Sequence, residues 1–200
     1  TLWDPAGKAV AQETLPLPLL PGQDETPQLR LSVADPQPWS AETPSIYRCT
    51  AQLTVDGAEA DRAELPFGLR TLALVPGKGL LVNGQKVKLR GACIHHDNGV
   101  LGAATFADAE WRRCRQLKEA GFNCLRSAHH PMSRAMLQAC DELGMYVLDE
   151  LSDVWTRSKN PRDYAQFFPD RWRQDVAQLV RKDYNHPSVL VYVTGNEIPE

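Results

Sequence analysis

The chain has 200 residues, 42% of them hydrophobic and 24% charged, a globular balance with enough apolar mass for one large domain or two modest ones. A net charge of −3 gives no concentrated basic surface, so neither nucleic acid nor an anionic membrane is expected as a partner. No apolar run reaches the roughly 20 residues of a membrane helix. No signal peptide is visible, but the chain starts at Thr1 in what reads as the middle of a domain and stops at Glu200 directly after a motif. It is therefore expected to be an internal piece of a longer protein, with its compartment open between cytoplasm and periplasm or secretion. The cysteines (Cys49, Cys93, Cys114, Cys124 and Cys140) are odd in number and form no CxxC pair. Four fall in segments that read as helix or buried strand, so free buried thiols are expected rather than a disulfide framework.

In chain order, residues 1–72 read as all-β. Segments 28–33 and 47–55 alternate with the period of half-buried strands, and Pro16, Pro18, Pro21, Pro36, Pro38 and Pro44 exclude long helices. This predicts a small sandwich of antiparallel strands. Asn83-Gly84 between 80–82 and 87–89 supplies the two positive-φ residues of a type I′ hairpin turn. From there, residues 73–200 alternate strand and helix. Strands are predicted at 87–94, 122–125, 145–148 and 189–193, and helices at 108–120, 133–143 and 170–184, with Gly121 and Gly144 as stops. Such βα units fit an open doubly wound sheet or the first half of an eight-stranded β/α barrel, and no glycine-rich phosphate loop follows the first strand.

Each of the four strands ends in polar, chemically capable residues. The first is followed by His95, His96 and Asp97, the second by Arg126, Ser127, His129 and His130, the third by Asp149, Glu150 and Asp153, and the fourth by Asn196 and Glu197. In a barrel these converge on the C-terminal mouth, where active sites are built. His186-Pro187 reads as a satisfied turn, and His96 and His130, second members of their pairs, as packing. Arg126 is balanced between an ion pair with a rim carboxylate and direct substrate contact. Asp149 reads as structural, with Glu150 pointing the other way. Asn196-Glu197 stands out, directly after an apolar strand and beyond Gly195. A Glu in apolar surroundings stays protonated near neutrality, as a general acid requires, and a neighbouring Asn can hold a substrate hydroxyl.

Several motifs together resemble glycoside hydrolase family 2, which includes β-galactosidases, β-glucuronidases and β-mannosidases. They are QPWSAETPSIY at 37–47, FGLRT at 67–71, LVNGQ at 81–85, LRG at 89–91, KEAGFNCLRSAHHP at 118–131, CDELGMYV at 140–147, NHPSV at 185–189 and GNE at 195–197. The resemblance covers essentially the whole chain. It implies a partial immunoglobulin-like β-sandwich over 1–72 and the first half of a (β/α)8 TIM barrel over 73–200, from a retaining exo-β-glycosidase, with β-galactosides the first expectation for substrate. Carried over by position, Glu197 is the acid/base, Asn196 binds the 2-hydroxyl, and His95 and His129 line the sugar pocket. Arg126 braces the catalytic carboxylates, and Asp153 and Trp155 shape the rim. The nucleophile is a Glu on a later barrel strand, beyond this chain; Glu150 is the local stand-in to weigh against it. The chain alone is therefore expected to be inactive. Cys93 and His130 depart from the Asn and Tyr of many members, which leaves the sugar open. No metal site and no cofactor are expected. The implied partner is a glycoside or oligosaccharide, and homo-oligomerisation is left open.

Two readings from other classes compete. A metal-dependent hydrolase would use His95, His96, His129 and a carboxylate, but the sequence lacks an HxH spacing. A non-catalytic sugar-binding or structural module would account for a half-barrel that lacks a second catalytic carboxylate and leaves an open sheet edge.

Overall fold

A computed structural model of the chain describes residues 1–198. Its first part is β-rich. Strands β1 (Leu2–Trp3), β2 (Ala9–Ala11), β3 (Tyr47–Val55) and β4 (Ala58–Phe67) form one antiparallel sheet in the order β2-β1-β3-β4. The long β3–β4 hairpin turns at Asp56-Gly57, both at positive φ. Segment 28–33, expected as a strand, is not one. Its alternation holds, because Leu31 and Val33 line an apolar cleft of about 570 Å³ with Leu2, Leu65 and Phe67. Its backbone has no ladder partner, and side-chain alternation alone does not make a strand.

A second antiparallel sheet contains β5 (Leu72–Val75), β6 (Gly79–Val82) and β7 (Gln85–Lys86). Asn83 and Gly84 make the β6–β7 turn at φ 51° and 77°, the pair of left-handed residues that a type I′ turn demands. Then come β8 (Gly91–Ile94), α1 (Ala107–Glu119), β9 (Cys124–Ser127), α2 (Arg134–Leu143), β10 (Tyr146–Glu150), α3 (Phe168–Asp183) and β11 (Val189–Val193). The first parallel strand is shorter than the expected 87–94. Asn123 intercepts residues 88–90: its Oδ1 accepts from Arg90 N at 2.6 Å and its Nδ2 donates to the Lys88 carbonyl at 3.0 Å, so a side chain takes the place of the ladder. Helix α3 begins two residues before the expected 170, with Pro169 in its first turn.

The parallel sheet runs β8-β9-β10-β11, in sequence order and without the reversal of a doubly wound sheet. Ile94, Leu125, Val147 and Val189 face the helices and bury themselves with Cys114, Met136, Leu137 and Cys140 of α1 and α2. The alternate residues face the concave side. The TIM-barrel part of the chain is therefore an incomplete barrel, four strands with their helices on one face. Cys93 is an exception to the expected burial of the thiols. It points to the concave side beside Arg126 and is exposed, whereas Cys114, Cys124 and Cys140 are buried and all five are free.

The N-terminal end of the parallel sheet is sealed by the first part of the chain. Trp39, wholly buried, meets Tyr146 edge-to-face at 5.7 Å and packs with Ala41, Val82 and Cys124. Its indole N–H donates to the Asp141 carbonyl at 2.8 Å. Arg70 donates to the Pro187 and Val189 carbonyls, and Lys118 to those of Ala41 and Gly144. Gly144, at φ 74°, ends α2 in the left-handed region, and a Cβ there would sit 2.3 Å from the Ala41 carbonyl oxygen. Both the conformation and the close approach require glycine. His186, in the turn before β11, pairs with Asp141 through Nδ1, and Asp141 also accepts from Ser188 N at 3.1 Å.

Candidate active site

At the opposite end of the strands the concave face turns polar. On β10, Leu148 faces the concave side, Asp149 the helices and Glu150 the concave side again, so the two carboxylates part company. Asp149 Oδ1 accepts from Met132 N at 2.8 Å and Ser127 Oγ at 3.2 Å, which makes it a structural anchor for the turn into α2. Glu150 is fully buried and has both oxygens engaged. Oε2 takes a 2.7 Å bond from Arg126 Nε, and Oε1 lies 3.0 Å from His129 Nδ1. A buried carboxylate persists only when paired in this way.

Arg126 then passes the connection on. Its Nη2 donates to Asn196 Oδ1 at 3.0 Å, and Asn196 Nδ2 donates to Asp153 Oδ1 at 3.0 Å. Asp153 Oδ1 accepts a second bond, of 2.7 Å, from Lys159 Nζ, which lies 3.3 Å from both Glu197 Oε2 and the Asn196 carbonyl. Glu150, Arg126, Asn196, Asp153, Lys159 and Glu197 thus form one continuous polar chain across the ends of β9, β10 and β11. Partial burial pushes the Asp153 carboxyl up, but the hydrogen bonds from Lys159 and Asn196 outweigh it and hold the group below its ordinary range. The Asp153 carboxylate, and after it Glu197, hold the Lys159 ammonium above its ordinary range.

The Glu197 side chain is 79% exposed in this incomplete barrel, and the neighbour that the described residues give it is an ammonium group. Glu197 adopts φ 49°, the left-handed region that non-glycine residues seldom enter and that recurs at functional sites. Gly195 is required by close packing. A Cβ there would lie 2.7 Å from Ile198 Cδ1 and 2.9 Å from Trp155 Nε1, so the glycine admits a side chain of this same protein. Trp155 donates that N–H to the Thr194 carbonyl at 2.8 Å and stacks on Phe168 at 6.0 Å.

The structure brings Arg126, His129, Asp153, Asn196 and Glu197 into one connected group. His95 joins it only through an edge-to-face contact with His129 at 5.8 Å, and Trp155 stands on its flank. His96 and His130 form a separate stacked pair at 4.0 Å, with His96 N donating to His130 Nε2. Burial, with His130 adding to it, pushes His96 down, toward the neutral form. Lys159 is the member that the sequence reading missed. Among the described residues, no group of three or more His, Cys, Asp or Glu side chains is arranged to hold a metal ion.

The sequence profile described as "Glycosyl hydrolases family 2, TIM barrel domain" matches residues 74–200, and "Glycosyl hydrolases family 2" matches residues 1–70. The chain belongs to glycosyl hydrolases family 2. Among family relatives, "Beta-galactosidase BoGH2A" of Bacteroides ovatus is 36% identical over the whole chain, which spans 24% of that protein. A "Putative beta-glucuronidase" of Formosa agariphila is 37% identical over 86% of the chain and 16% of its own length. A solved family 2 member from Bacteroides cellulosilyticus superposes with a TM-score of 0.92 at 41% identity, over all of this chain and 26% of its own. The chain thus spans about a quarter or less of the relatives it matches.

Proposed function

We propose that this chain carries the acid/base half of a retaining exo-β-glycosidase, with Glu197 as general acid/base and β-galactosides as the substrate class. The N-terminal β-rich part is read as a partial immunoglobulin-like sandwich. The observation that carries the proposal is the polar chain from Glu150 to Glu197, which gathers side chains from three strand ends around one rim. In a retaining mechanism two carboxylates stand about 5–5.5 Å apart. In the first step the nucleophile bonds to the anomeric carbon while the C–O bond to the leaving group breaks, and Glu197 gives its proton to the departing oxygen. In the second, Glu197, now a carboxylate, takes a proton from water as the water oxygen attacks the anomeric carbon and the nucleophile leaves.

Glu150, whose oxygens are engaged by Arg126 and His129, is not taken as the nucleophile, because the family resemblance places that role on a later barrel strand. The nucleophile is accordingly assigned to a position outside these 200 residues, and this chain alone has no turnover. Asn196 is assigned to the sugar's 2-hydroxyl, His95 and His129 to the walls of the sugar pocket, and Asp153 and Trp155 to the rim. β-Glucuronides are the second reading, since a relative bearing that name is as similar as one named β-galactosidase.

In the full-length enzyme, Glu197→Gln is expected to lower kcat on glycosides with poor leaving groups by about 10²–10⁴-fold and to spare activated aryl glycosides. Equal loss on both kinds of substrate overturns the acid role, and turnover by the isolated chain overturns the placement of the nucleophile. Rates on aryl β-galactoside, β-glucuronide and β-mannoside decide the sugar.

A further inference from the structure

Lys159 is the only ammonium group in hydrogen-bonding contact with Glu197 among the described residues, and its own position is heavily specified. It sits in the loop between β10 and α3, which Asp163 closes: Asp163 Oδ2 accepts from Lys159 N at 2.6 Å and Asn160 N at 2.9 Å, and Oδ1 accepts from Ala165 N at 3.0 Å. From this base the side chain reaches Asp153 Oδ1, the Asn196 carbonyl and Glu197 Oε2 together. We propose that Lys159 is a positioning residue for Glu197, tying the end of β11 to the loop after β10 and aiming the carboxylate that receives and returns the proton. The proposal rests on the acid/base assignment of Glu197. The contact with the Asn196 carbonyl also bears on the left-handed turn at Glu197, since it holds the peptide that precedes it. The ammonium lies 3.3 Å from Glu197 Oε2, so it fixes the direction in which that oxygen points.

The other charged groups around this pair are few. Asp153 shares Lys159 with Glu197, and Arg157 lines the same small cleft of about 190 Å³. Arg126 reaches the end of β11 through Asn196, while Glu150 and His129 lie behind Arg126. None of these replaces an ammonium in contact with Glu197.

The test is kcat and KM of the full-length enzyme on a glycoside with a poor leaving group and on an activated aryl glycoside, for wild type, Lys159→Met and Lys159→Arg. Lys159→Met is expected to lower kcat on the poor-leaving-group substrate by on the order of tenfold with little change in KM, the loss that a misaimed group produces, and to spare the activated glycoside. Lys159→Arg, which keeps the charge and the donors, is expected to recover most of that kcat. An unchanged kcat in Lys159→Met, an equal loss on both substrates, or no recovery in Lys159→Arg overturns the proposal. If Glu197→Gln shows the leaving-group dependence while Lys159→Met does not, the acid/base assignment stands and only the role of Lys159 falls.

Discussion

At the N-terminal end of β8–β11, Trp39 and Tyr146 are wholly buried, and Lys118 and Arg70 donate to backbone carbonyls. At the C-terminal end of the same strands, Glu197 stands in solvent at a left-handed φ, and its neighbours are held by polar bonds in series. The first end is built from burial and from donors matched to fixed acceptors; the second is a relay of charges in which each member orients the next. A packed plug tolerates little change of volume. A relay tolerates little change of charge.

The sharpest way to break this contrast is to empty the plug. Trp39→Ala is expected to cost about 3–5 kcal/mol, through lost burial and the cavity left beneath Tyr146, and to shift the urea midpoint without touching a rim residue. A loss under about 1 kcal/mol would mean that the N-terminal part does not seal the sheet.

At the rim, Arg126→Met is expected to cost about as much when the buried Glu150 loses its partner, but for an electrostatic reason. Arg126→Met with Glu150→Met should recover most of the stability and none of the activity. No recovery in the double variant would show that the pair does not act as a unit.

A third effect, visible only as a dependence on pH, is expected between the two ends, on the helix-covered face. There burial, with Asp149 adding to it, pushes the Asp183 carboxyl up to about 7 against the pull of Lys182. The folded state then keeps a proton that an unfolded carboxyl, near about 3.9, releases first, so stability falls as pH rises from about 4 to about 7 and levels off above. Asp183→Asn is expected to flatten Tm against pH across that window. A slope unchanged from wild type would assign the titration elsewhere.

What was legible in the sequence follows the same division. The βα alternation could be read because Val189–Val193 is apolar throughout and because Gly121 and Gly144 mark helix ends. The clusters at the strand ends could be read because a parallel strand delivers its last residues to one rim. The bonds among them could not. Lys159 lies in a loop whose course is set by Asp163, and its reach to Glu197 depends on where β11 ends beside β10, which no local pattern encodes. The same holds for residues 88–90, whose ladder is taken over by Asn123, and for 28–33, where alternation reflects a cleft and not a strand. The contact of Glu197 with Lys159 was not legible either, because the apolar strand before Glu197 does not specify which loop meets the residues after it.

The Trp39 plug also orders assembly in time. Its indole bonds a carbonyl 102 residues later in the chain. Closing so long a loop is entropically costly, and it returns nothing until α2 and β10 exist to receive the ring. During synthesis Trp39 emerges first and waits, so the sheet acquires its strands before it acquires its floor. Until that moment Cys124 and Tyr146 remain uncovered on the concave side, an apolar floor open to contact with another chain.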